Sequence, residues 1–231
     1  MASTESNAIE NIDDGEPCVL REDTMLILQQ FLKEKELKES METESSELNK
    51  RFEENWQLSQ FWYNESTKEK LASVVEHLQK EKPTSEGKFK VALLSAPSAF
   101  KHISIVVPDA MLFEYDGRFA FYGEHFRQYD YNRAFEPQYL DEFRHTFDLI
   151  IADPPFLSEE CIQKIAFIVK KMSKSHGKLV LCSGAVVQSW AQQYLAVKLC
   201  QFRPEHERNL GNEFCSYANF DLDSLLNKAN P

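Results

Sequence analysis

The chain has no Cys-x-x-Cys pair, and its five cysteines (Cys18, Cys161, Cys182, Cys200, Cys215) are scattered. That spacing excludes a compact dithiol or zinc-ribbon site and suits a reducing compartment, where thiols serve as small buried apolar groups. No histidine lies within five residues of another histidine or of a cysteine, so no metal is expected. No run approaches eighteen apolar residues, and the opening MASTESNAIENIDDGE is polar and acidic. Neither a membrane-spanning helix nor a secretory leader is expected, and the protein is read as soluble and cytoplasmic. A Gly-x-Gly-x-x-Gly is also missing among only seven glycines, which leaves no glycine nest for a pyrophosphate.

A basic stripe is lacking as well. The net charge of −11 is concentrated at the front: residues 1–60 carry fifteen acids against six bases, leaving the remainder at 22 against 20. Nucleic-acid binders neutralise phosphates with clustered cations, and the one lysine group here (Lys164, Lys170, Lys171, Lys174, Lys178) reads as cations at a helix C-terminus.

What is present begins with a helical spacing over Glu22–Lys38, followed by a polar tract, KESMETESSELNKRFEEN, that reads as a solvated linker. Residues 1–54 are therefore taken as an acidic extension and residues 55–231 as one folded domain. Leu71, Val74, Val75 and Leu78 behind Asn64 and Ser66 predict a helix over Glu65–Lys80. From Lys88 onward, short apolar runs (FKVALLSA, AMLFEYD, FRQYD, FDLIIAD, KLVLCSG) alternate with helical tracts at Gln138–Arg144, Ser158–Met172 and Ala185–Val197. Runs of that kind are strands covered on both faces, so the fold class is α/β, a doubly wound sheet with helices on both faces. LCQFRPEH and NEFCSYANF stand too close for a helical crossover and predict a terminal antiparallel hairpin.

One stretch asks for a chemical explanation. FDLIIADPPF runs a buried strand into Asp153, Pro154, Pro155 and Phe156, a carboxylate held stiffly beside an aromatic ring. Together with QFWY (Gln60–Tyr63) and SAPS (Ser95–Ser98), this loop makes the chain resemble the S-adenosylmethionine-dependent methyltransferases of the N6-adenine-like group, from about Asn55 to Phe220. Within that group it is most similar to the eukaryotic elongation factor 1A lysine methyltransferases. The resemblance implies the seven-stranded class I methyltransferase sheet, five parallel strands closed by the antiparallel hairpin, and S-adenosylmethionine as cofactor.

The chemistry accounts for these residue types. A methyl-accepting nitrogen must aim its lone pair at the sulfonium methyl, so its N–H bonds need fixed acceptors, which the Asp153 carboxylate and Pro154 carbonyl supply while Pro155 stiffens the loop and Phe156 walls the pocket. Small Ser95, Ala96 and Ser98 with Pro97 let a cofactor approach the backbone. At the end of FEYD an acid is expected to accept the ribose hydroxyls; Asp116 is preferred to Glu114 because it stands closer to the crevice. Asp130 is assigned to the adenine amino group, and Gln60, Phe61, Trp62 and Tyr63 to the methionine end. The substrate implied is a lysine of elongation factor 1A, taken by a monomer without nucleic acid or membrane. Two alternatives stay open: an adenine N6-methyltransferase on DNA or RNA, since the clamp alone does not separate a base from a lysine, and a silent binding protein on the same fold.

Overall fold

The computed structural model describes residues 54–58, 60–208 and 213–228. The expected helix at 22–38, the polar tract behind it and Cys18 lie outside the described residues.

Seven strands form one sheet in the order β3-β2-β1-β4-β5-β7-β6. They are β1 (Val91–Leu94), β2 (Met111–Glu114), β3 (Phe126–Gln128), β4 (Phe147–Ala152), β5 (Ser173–Gly184), β6 (Lys198–Leu199) and β7 (Phe214–Ala218). The first five pair in parallel, and β7 runs antiparallel to both β5 and β6. Among the described residues the helices are α1 (Glu65–Glu81), α2 (Pro97–Val106), α3 (Glu159–Met172), α4 (Gln188–Leu195) and α5 (Leu222–Lys228). α1 packs against α2 and α5, and α3 against α4.

The period of two in the strands explains this layering. Ala92, Leu94, Ile150, Ala152, Leu179 and Leu181 share a core with Ile162 and Ile165 of α3 and Ala191 of α4. Their neighbours Val91, Leu93, Leu149, Ile151 and Val180 project to the other side and are equally buried, as are Leu71, Val74 and Val75 of α1. Continuously apolar strands are thus the consequence of two covered faces. The Asn64 side chain caps α1 by accepting from the Thr67 amide at 2.9 Å. Ser158 caps α3 through the Cys161 amide at 3.2 Å, with Glu159 and Glu160 at the positive end of the helix dipole.

Several boundaries differ from expectation, each for a backbone reason. No α-helix forms over Gln138–Arg144, because Gln138, Leu140 and nearby His145 adopt left-handed φ values of 65°, 58° and 50°, leaving one 3-10 turn at Asp141–Phe143. The tract Ala185–Val197 divides into a 3-10 turn (Ala185–Val187) and α4, and left-handed Ala196 follows. The strand expected over 199–206 is reduced to two residues: the Gln201 and Phe202 amides turn to the Asp223 carboxylate at 2.8–3.2 Å instead of a neighbouring strand. Helices α2 and α5 were not anticipated. Among the described residues no helix is long and apolar enough to cross a membrane, and four of the five lysines of the group make ion pairs: Lys164 with Glu160, Lys171 with Asp141, Lys174 with Asp148 and Lys178 with Glu81, while Lys170 stands in the last turn of α3.

Candidate active site

Strand order reverses between β1 and β4, so the chain leaves the carboxyl ends of these neighbours in opposite directions and a crevice opens there. The Asp153 amide donates to the Leu94 carbonyl at 2.9 Å, which places the end of β4 directly against the end of β1. A cavity of about 260 Å³ lies over this junction.

Its floor is the turn after β1. Ser95 takes φ 54°, a left-handed conformation unusual for a residue with a Cβ, and donates its amide to the Phe113 carbonyl at 2.8 Å. The chain then enters α2 with Pro97 in the first turn, where its missing N–H leaves nothing unsatisfied. One wall comes from the end of β2. Glu114 lines the cavity while its carboxylate accepts from the Gln60 amide at 3.3 Å and the Asp116 amide at 3.2 Å. Burial pushes Glu114 up to about 6. Asp116 is turned away: it forms a close ion pair with Arg118 at 2.6 Å and accepts from Gln60 at 3.1 Å. Burial would raise its pKa, but the Arg118 and Gln60 hydrogen bonds outweigh this and hold it below the usual carboxylate value.

The opposite wall belongs to the loop after β3 and to the Asp-Pro-Pro-Phe loop. Tyr129, Asp130, Tyr131 and Asn132 line the cavity with Asp153, Pro155 and Phe156. Asp130 accepts from the Asn132 amide at 2.8 Å, and its own amide bonds the Tyr139 hydroxyl at 2.7 Å. Phe156 is 47% exposed, with its ring 6.0 Å from that of Tyr131. Asp153 sits deeper. Burial pushes its carboxyl up to about 8, opposed by the Tyr63 hydroxyl, which donates to it at 2.6 Å, while the Glu114 charge adds to the rise.

The segment before α1 completes the site. Gln57, Leu58, Gln60, Phe61 and Trp62 line the cavity. Tyr63 is fully buried behind it, its ring tilted against His206 at 5.1 Å. A two-residue bridge pairs Tyr63 with His206, the Asn64 amide donates to the Glu205 carbonyl at 2.9 Å, and the Glu207 amide donates to the Trp62 carbonyl at 2.8 Å.

Of the residues proposed from sequence, the cavity gathers Trp62, Ser95, Pro97, Ser98, Glu114, Asp130, Asp153, Pro155 and Phe156. Four stand apart from its lining. Ala96 and Pro154 are buried beneath the turns that carry them, Tyr63 lies behind Asp153, and Asp116 is drawn off by Arg118, so the preference for Asp116 over Glu114 is reversed in position. Tyr129 and Tyr131 went unnoticed, although they flank Asp130 in QYDYN. Tyr129 bears on whether a cofactor fits: it lines the cavity, yet its buried hydroxyl finds no partner among the described residues. A buried hydroxyl without a partner is costly, and a polar ligand such as a nucleoside would satisfy it. Acids, small residues at a close turn and an orphaned hydroxyl in one crevice therefore fit S-adenosylmethionine.

The sheet order, the crevice and the Asp-Pro-Pro-Phe loop together define a methyltransferase of the seven-stranded class. Residues 54–222 match the family model described as "Probable N6-adenine methyltransferase", and the chain belongs to that family. Curated relatives include a protein-lysine N-methyltransferase of Drosophila melanogaster, 47% identical over 88% of this chain and 95% of its own length. The EEF1A lysine methyltransferase 1 of Gallus gallus is 41% identical over 90% of this chain and 96% of its own. That of Homo sapiens is 44% identical over 73% and 76%.

Proposed function

We propose that this chain is a cytoplasmic, monomeric protein-lysine N-methyltransferase that moves a methyl group from S-adenosylmethionine to a lysine of elongation factor 1A. Residues 55–231 carry the activity and residues 1–54 form an extension. The observation that carries the reading is the position of Asp153, at the meeting of the cofactor crevice and the exposed Phe156, in a chain whose relatives bear that activity in their names.

When bound, the cofactor supplies an electrophilic methyl group on a sulfonium. Glu114 would accept hydrogen bonds from the ribose hydroxyls, Tyr129 and Asp130 would hold the adenine, and Ser95, Pro97 and Ser98 with Trp62 would enclose the remainder. A lysine enters as an ammonium with an ordinary pKa of about 10.4 and cannot attack until it loses a proton. Phe156 and Tyr131 receive its alkyl stem, and the loss of water around its head favours the neutral amine. Asp153, raised to about 8, is mostly protonated at neutral pH; its carboxylate form is basic enough to take the proton and grows in share towards alkaline pH. With the Pro154 carbonyl it then fixes the remaining N–H bonds so that the lone pair points at the methyl group.

Purified enzyme, labelled S-adenosylmethionine, purified elongation factor 1A and adenine-containing oligonucleotides test the reading in parallel. Label is expected on a lysine of the protein, at a rate that falls about 10²–10³-fold in Asp153→Ala, the usual cost of losing one fixed transition-state acceptor. Label in the oligonucleotides and none in the protein would overturn it in favour of adenine.

A further inference from the structure

We propose that Tyr63 is a positioning residue for methyl transfer: its hydroxyl fixes the Asp153 carboxylate in orientation and keeps it available as a proton acceptor. The proposal rests on the reading of Asp153 as the group that receives the substrate amine.

Tyr63 has no exposed surface and does not line the cavity, so contact with cofactor or substrate does not explain it. Its backbone is pinned from three sides, by the Ser98 hydroxyl of α2 at 3.3 Å, by the bridge to His206, and through the neighbouring Trp62 carbonyl by the Glu207 amide. Its ring packs on His206. A phenylalanine would satisfy all of that packing; only the oxygen distinguishes the two, and a buried hydroxyl is unfavourable unless it is paired. Here it is paired at 2.6 Å with the one carboxylate placed for the chemistry.

The groups facing Asp153 give that bond its effect. They are the Tyr63 hydroxyl from the segment before α1, the Glu114 carboxylate from β2 and the Cys182 thiol from β5. His206, behind Tyr63, is held neutral by burial, which lowers it to about 4. None of these groups is a cation. Burial and Glu114 both favour the protonated acid, and the Tyr63 hydroxyl is the group that favours the carboxylate.

Infrared titration of the protonated Asp153 carboxyl stretch, assigned by difference from Asp153→Asn, reads this in the full chain without cofactor or substrate. In Tyr63→Phe the midpoint should rise by about one to two pH units, the equivalent of one lost hydrogen bond to a charged group. Turnover at neutral pH should fall and recover towards alkaline pH, with S-adenosylmethionine affinity unchanged. Should the phenylalanine variant not fold, 3-fluorotyrosine at position 63, a stronger donor, should move the midpoint down. An unmoved midpoint in a folded variant overturns the proposal, since a purely structural tyrosine would not shift it. If the midpoint moves as expected while wild-type enzyme fails to label elongation factor 1A, the lysine reading fails and the control of Asp153 by Tyr63 stands.

Discussion

Glu114 and Asp116 share one glutamine and stand two residues apart, yet their surroundings shift their pKa values in opposite directions. Burial raises Glu114 to about 6, while for Asp116 the hydrogen bonds from Arg118 and Gln60 overcome the effect of burial and lower it. If Glu114 holds the ribose, cofactor affinity is full above pH 6 and declines as pH falls through it, because the neutral acid is the poorer acceptor. Calorimetry at pH 7.5 and pH 5 should show about tenfold weaker binding at the lower pH, and Glu114→Gln should be weak and nearly pH-independent, short by about 1–3 kcal/mol. Asp116→Ala should leave affinity close to wild type; a large loss there would return the ribose role to Asp116. The tetrapeptide FEYD announces that an acid stands at the crevice. Which one faces it is decided by the Arg118 fork, which clamps Asp116 through its amide, Nε and Nη2, and no linear pattern reveals where that fork will close.

Among the elements, the Asp-Pro-Pro-Phe loop is seated by the end of β5. A Cβ on Gly184 would stand 2.8 Å from Leu157 Cδ1, closer than carbon atoms tolerate, and 3.1 Å from Cδ2. Gly184→Ala should therefore push Leu157, and with it the loop that carries Phe156. The expected result is a loss of about 1–3 kcal/mol in stability together with a lower kcat, both partly restored by adding Leu157→Ala. A variant with unchanged melting temperature and unchanged kcat would show that Leu157 simply rotates aside. This contact joins residues far apart in the chain and leaves no trace in either local pattern. Elements that bury a face were legible: the four-residue β1 and the cap at Ser158 follow from hydrophobic runs and capping chemistry. Elements set by backbone choices were not, as at Gln138, Leu140 and Ala196, where residues with side chains adopt left-handed angles that composition does not announce. The lining of the crevice was legible where a residue type stood out against its surroundings, as at Asp153 and Phe156. The site was obscure wherever a role depends on what stands behind the residue, as at Tyr63.

For the whole molecule, substrate class sets the response to solution conditions. A lysine must shed its proton to react, so turnover under saturating substrate should climb from neutral to alkaline pH, whereas an adenine amino group, already neutral, would give a nearly flat profile. Affinity should fall only mildly with salt; a nucleic-acid substrate would lose about 0.9 log unit per phosphate contact for each tenfold rise in salt. A flat pH profile with a steep salt slope would sink the lysine reading. The joining of Trp62–Asn64 to Glu205–Glu207 reaches further than the finished enzyme. The Asn64 side chain meets Glu205 at a separation of 141 residues, and the adjoining backbone pairs lie as far apart. Closing a loop of that length carries an ordering cost that local contacts do not. On the ribosome, a nascent chain that has emerged through β5 already carries the Asp-Pro-Pro-Phe loop but has nothing against which to seat the segment that braces it. The segment that braces Asp153 is therefore seated only once residues 205–207 have been made.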